Sequence, residues 1–155
     1  DERLAVEAEL EALAGLGLEA LGEEAAERGK AYSEGILDKG MKRGKVSADK
    51  KNEVLARIQA TTDYNALSDC DLLVEAVFED PKVKADVTVK AEAVLPANAI
   101  FATNTSTLPI SDLARASRRP DQFIGIHFFS PVDKMMLVEI IRGKETGDVA
   151  VAKAL

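Results

Sequence analysis

The sequence predicts an α/β domain built on a mostly parallel sheet with flanking helices. Four short apolar runs carry the first part of that reading, at residues 72–77, 100–103, 123–129 and 137–141. Each is rich in Val, Ile, Leu or Phe and bounded by turn residues, the pattern of a buried strand. Segments with helix start and stop signals lie between them, and strands alternating with helices give an α/β fold. The length of 155 residues is enough for one such core.

The elements follow in order. Residues 1–28 are almost entirely Ala, Leu, Glu and Gly, with nine acidic residues against two arginines. Leu4, Val6, Leu10, Leu13 and Leu21 fall at roughly helical spacing among strong helix formers. The pattern predicts a helix over residues 2–14, a break at Gly15 and Gly17, and a second helix running through Ala31 and Ile36 to about Lys42. Gly44 stops that helix, with Lys39, Lys42 and Arg43 near its negative end. Ser47 reads as the N-cap of a helix over Asp49–Ile58. Asp80 and Pro81 open a helix that runs to about Val94, and a shorter one lies near Pro109–Ser117. The chain stops at Leu155 inside the helix expected after the last strand.

Composition narrows the function classes. A net charge of −7 argues against a broad nucleic-acid footprint, though not against a local basic pocket. Cys70 is the only cysteine, so no intrachain disulfide can form and a reducing compartment fits. One cysteine and one histidine make a poor metal site, and none is expected. No apolar run approaches the ~18 residues of a membrane helix, and the acidic start does not read as a signal peptide. The expectation is a soluble cytoplasmic protein.

Ligands of open α/β sheets bind at the carboxyl ends of the strands. Glu79 follows the run at 72–77, Asn104-Thr105-Ser106 follow the run at 100–103, and His127 lies late in the run at 123–129. Capping is the plain alternative for Glu79, Thr105 and Ser106. His127, the only histidine, precedes the loop Ser130-Pro131-Val132-Asp133-Lys134. In a hairpin centred on Asp133 it stands opposite Glu139, with Cβ atoms about 5 Å apart. A buried carboxylate beside an imidazole fixes its tautomer, which is how a general base is built. The same pair serves equally as a structural brace, and among lone buried histidines that role is the commoner one.

The strings DLLVEAVFEDPKVK (71–84), FATNTSTLPIS (101–111) and FIGIHFFSPVDKMMLVEIIRG (123–143) resemble the L-3-hydroxyacyl-CoA dehydrogenases of fatty-acid β-oxidation. The resemblance covers roughly residues 22–155. The forms ILDKGMKRGK (36–45) and HFFSPVDKM (127–135) are most similar to the dehydrogenase part of multifunctional enzymes; single-function members more often have Asn where Ser130 stands. The resemblance implies a Rossmann-like sheet and NAD-dependent oxidation of L-3-hydroxyacyl-CoA to 3-oxoacyl-CoA. It makes His127 the base, Glu139 its orienting partner, and Ser106 the residue that binds the substrate oxygen and borders the nicotinamide. It places Asn104 in support of that loop, and Glu79, Lys84 and Ser130 along the cofactor. The cluster Lys39, Lys42, Arg43 and Lys45 resembles the region that meets the CoA phosphates; a solvated helix end is its plain alternative. The resemblance further implies either a homodimer or a place in a multifunctional β-oxidation complex.

Two departures bear on activity. Residues 1–22 are expected as a helical segment outside the family pattern, and residues 23–155 as a partial NAD-binding domain without the first strand–GxGxxG–helix–strand unit. Gly15-Leu16-Gly17-Leu18-Glu19-Ala20 formally fits G-x-G-x-x-A, but no β-branched strand precedes it and too little chain follows before residues 26–30. It reads as a helix break, which predicts weak NAD binding. The family's helical C-terminal domain, which completes the substrate cleft, is likewise not expected within these residues. Two readings follow: a dehydrogenase domain, or a catalytically silent piece of one that holds CoA-like ligands or has a structural role.

Overall fold

The computed structural model of the chain describes residues 4–6, 22–132 and 134–155. The chain divides into two compact units. One is helical. Its helix α1 spans Glu23–Lys42, with Glu23 and Glu24 in the first turn and Lys39 and Lys42 in the last, the placement that the helix dipole favours. Gly44 ends it at φ 68°, a conformation that costs glycine nothing. Helix α2 (Ala48–Ala56) starts at Ser47, whose hydroxyl accepts the Lys50 N–H at 3.1 Å. Lys51 joins the two helices, reaching Asp38 at 2.6 Å and Glu34 at 2.8 Å.

The other unit is a five-stranded sheet in the order β1-β2-β3-β4-β5. These are β1 (Leu4–Val6), β2 (Leu72–Glu75), β3 (Ile100–Thr103), β4 (Phe123–Phe128) and β5 (Val138–Ile141). The first four run parallel, and β5 closes the edge antiparallel to β4. Helix α3 (Pro81–Glu92) joins β2 to β3, the short α4 (Ile110–Leu113) lies between β3 and β4, and α5 (Asp148–Ala154) follows β5. This is the Rossmann-like arrangement expected from the alternating pattern.

Alternation along the strands divides the core. Leu73, Phe101 and Phe123 pack with Ala91, Leu95, Ile110 and Leu113 on the side of α3 and α4. The rings of Phe101 and Phe123 stack at 5.2 Å. Val74, Ile100, Ala102, Ile124 and Ile126 pack with Ala150 of α5 on the other side. Gly125 is required here: a Cβ would lie 2.6 Å from Ile110 Cδ1 and 3.0 Å from Ile141 Cβ.

One expectation is overturned. The helix predicted over residues 2–14 gives way at its start to β1, in parallel register with β2 from Leu4 opposite Leu72 to Val6 opposite Val74. Helix propensity is a weak prior, and the open edge of β2 offers backbone partners that outweigh it. A strand therefore stands where the sequence suggested none. The glycines at 15 and 17 lie outside the described residues.

Candidate active site

Because β2, β3 and β4 are parallel, the residues that follow them gather at one edge of the sheet. Three arms meet there.

The first arm comes from β2 and α3. Asp80 caps α3 through the N–H groups of Lys82 (2.8 Å) and Val83 (3.0 Å), and Pro81 fixes its first turn. That geometry carries Lys84 back under the strand end, where it is 1% exposed. Its ammonium donates to Glu75 at 2.9 and 3.3 Å and to the Val77 carbonyl at 3.3 Å, and lies 3.4 Å from Glu79 Oε2. Glu75 is fully buried and also accepts the Val77 N–H at 2.6 Å and the Thr103 hydroxyl at 2.7 Å.

The second arm is the loop after β3. Glu79 Oε1 accepts the Thr105 hydroxyl at 2.5 Å, the Ser106 N–H at 3.0 Å and the Thr107 N–H at 3.1 Å. The hydroxyls of Thr107 and Ser106 stand at 3.3 and 3.4 Å from the same oxygen. Partial burial opposes the charged carboxylate, but the Thr105 hydroxyl, the Thr107 N–H, the Lys84 ammonium and the Ser106 N–H outweigh it and lower the Glu79 pKa to about 2. Ser106 itself is exposed. Asn104 ties β2, β3 and β4 together: its N–H donates to the Glu75 carbonyl at 2.7 Å, and its side-chain oxygen accepts the Phe128 N–H at 2.9 Å.

The third arm is the β4–β5 hairpin. His127 and Glu139 are register partners, as their spacing about Asp133 predicts; Asp133 itself lies outside the described residues. His127 Nδ1 and Glu139 Oε2 are 2.8 Å apart. The carboxylate was expected to be buried, yet its side chain is 49% exposed while that of His127 is 17% exposed. The cause is position, since β5 is an edge strand and Met136, Leu137 and Val138 beside it are exposed too. The ring of Phe129 leans on the imidazole at 4.6 Å. Ser130 follows, exposed.

The structure thus brings Glu79, Lys84, Asn104 and Ser106 into one bonded network and joins it to the strand that bears His127. Lys39, Lys42, Arg43 and Lys45 belong to the helical unit and are exposed. Sequence reasoning missed Glu75, Thr103 and Thr107 as parts of this network. The signal for Glu75 was present, an acid inside an otherwise apolar strand. Among the described residues no group of three or more His, Cys, Asp or Glu side chains could hold a metal, and no helix is long and apolar enough to cross a membrane.

A family model described as "3-hydroxyacyl-CoA dehydrogenase, NAD binding domain" matches residues 8–155. The chain belongs to this family. Its sequence is 43% identical over 124 residues to the fatty acid oxidation complex subunit alpha of Acinetobacter baylyi, covering 80% of this chain and 17% of that protein. The same subunit of Colwellia psychrerythraea is 44% identical over 132 residues, covering 85% of this chain and 18% of that one. Among family structures, the (S)-3-hydroxybutyryl-CoA dehydrogenase of Ralstonia eutropha superposes with a TM-score of 0.83 at 37% identity, over 86% of this chain and 47% of that chain. The chain therefore spans under a fifth of the two curated relatives and about half of that family enzyme.

Proposed function

We propose that this chain supplies the sheet side of an NAD-dependent L-3-hydroxyacyl-CoA dehydrogenase site, with His127 as general base. The observation that carries the reading is the His127–Glu139 pair at the carboxyl edge of the sheet. An ionised carboxylate only accepts, so the imidazole donates from Nδ1 and leaves the Nε2 lone pair free. That nitrogen takes the proton of the substrate 3-hydroxyl, and Glu139 balances the imidazolium that forms. Ser106 hydrogen-bonds the substrate oxygen, while Asn104 and Glu79 keep its loop in place.

The fit of NAD is partial on these residues. The N–H groups of Ser106 and Thr107 are already taken by Glu79, so this loop offers hydroxyls and a carboxylate, not a cradle for an anion. It suits the ring end of the dinucleotide, bordered by Glu79, Ser106 and Ser130, and not the diphosphate. When bound, NAD accepts the C3 hydride as the alcohol is oxidised. Lys84 acts here through Glu79. The acyl-CoA is the second ligand. A place in a fatty acid oxidation complex accords with the relatives' names, and a cytoplasmic location is part of the same reading.

The test follows NADH formation from an L-3-hydroxyacyl-CoA. His127→Ala is expected to lower turnover by at least ~100-fold with circular dichroism unchanged. Retained turnover in the variant overturns the assignment. A chain that binds the acyl-CoA without turning it over favours the silent-domain reading instead.

A further inference from the structure

A fully buried ion pair is costly, since each charge loses hydration that good geometry and further hydrogen bonds must repay. Glu75 and Lys84 form such a pair at 2.9 Å, and neither reaches the open edge. Proton transfer at His127 has no need of them. What Lys84 does reach is Glu79, and what Glu79 reaches is the loop of Ser106. We propose that Glu75 is a positioning residue: it holds the Lys84 ammonium at a fixed depth beneath Glu79, and so sets the Glu79 carboxylate against the Ser106 loop. For its functional weight this rests on the role of Ser106 proposed above.

The geometry supports a division of labour between the carboxylates. Each of the two oxygens of Glu75 meets Lys84, and each also has a neutral donor, Val77 N–H on Oε1 and the Thr103 hydroxyl on Oε2. Glu75 is thus held from β3, from α3 and from the segment after β2. Glu79 turns one oxygen to Lys84 and gives the other wholly to Thr105, Ser106 and Thr107. With Glu75 neutralised, Glu79 becomes the only carboxylate bonded to Lys84. The ammonium then draws Glu79 inward, away from the loop, or gives up its proton. Either response loosens the Ser106 and Thr107 N–H bonds. Glu75 need not touch any ligand to do this.

Glu75→Gln isolates the charge, because a glutamine can keep the bonds to Val77 and Thr103. Amide hydrogen exchange of the full chain, read by NMR, tests the idea without any assay of turnover. Glu75→Gln is expected to speed exchange at Ser106 and Thr107 by roughly tenfold relative to Ile124 in the core, as for loss of a charge-assisted hydrogen bond. The double variant Glu75→Gln/Lys84→Met removes both charges and is expected to restore most of the protection. If Glu75→Gln fails to fold, Glu75→Asp, which keeps the charge but shortens its reach to Lys84, tests the proposal instead: faster exchange at Ser106 and Thr107 supports it, and unchanged exchange overturns it. Unchanged exchange in Glu75→Gln overturns it, as does an equal rise at Ile124, which marks a merely structural role. In the NADH assay Glu75→Gln raises KM for the acyl-CoA more than it lowers kcat. Changed exchange with no turnover in any form leaves the positioning role standing and sinks the dehydrogenase reading.

Discussion

The side-chain oxygen of Asn104 accepts the backbone N–H of Phe128 at 2.9 Å, so the loop that carries Ser106 is bolted to the residue next to His127. Asn104→Ala leaves that partly buried N–H without a partner and should cost about 1–3 kcal/mol. Asn104→Asp keeps an acceptor and should cost less. Urea denaturation of the two variants measures the difference, and equal stabilities would remove Asn104 from the site's framework.

Glu79 predicts an acid transition. Its pKa in the folded chain is about 2, below the ordinary 4.5, so folding favours the ionised form. The stability it contributes is complete above about pH 4.5 and is lost as pH falls through its folded value. The amide shifts of Ser106 and Thr107 should therefore move only toward pH 2, and Glu79→Gln should abolish the movement. A midpoint near 4.5 would mean that the loop does not hold the carboxylate.

Glu139 fixes the imidazole tautomer. Nitrogen-15 spectra of the chain with the imidazole neutral should show a protonated Nδ1. In Glu139→Ala that preference should vanish, while Glu139→Gln, which can still accept, should keep most of it. An unchanged spectrum in the alanine variant would reduce the pair to a surface contact, since exposed pairs often contribute little.

With β1 ahead of them in the chain, Gly15 and Gly17 lose the main support for the helix-break reading. If a turn at these glycines receives the diphosphate, replacing both with alanine should weaken NAD binding, measured by calorimetry, by at least ~tenfold, because only glycine lets the backbone approach a diphosphate so closely. Affinity unchanged by the substitutions would remove these glycines from the cofactor site.

Much of this architecture is legible in the residues. Ser47, Asp80 and Pro81 announce their helices through local hydrogen bonding and fixed φ. The runs at 100–103 and 123–128 announce strands because both their faces are buried. His127 and Glu139 could be paired by counting, since hairpin register depends only on the turn between them. Residues 4–6 misled because nothing local records that β2 has an open edge. The burial of Lys84 was illegible because a charge on a helix carries no sign of whether it faces water, whereas Glu75, an acid inside an apolar run, was legible and passed over. The loop donors on Glu79 were illegible because their partner is set by the packing of α3 under β2.

The three arms also differ in how much chain must exist before each can form. His127 and Glu139 are 12 positions apart, Glu79 and Ser106 are 27. Closing the longer span costs only about 0.7 kcal/mol more in chain entropy. Order of manufacture separates them further, because translation delivers the amino-terminal side first. Glu79 and the Ser106 loop are joined to the chain before Glu139 is. The His127–Glu139 pair is thus the last of the three arms to be synthesised.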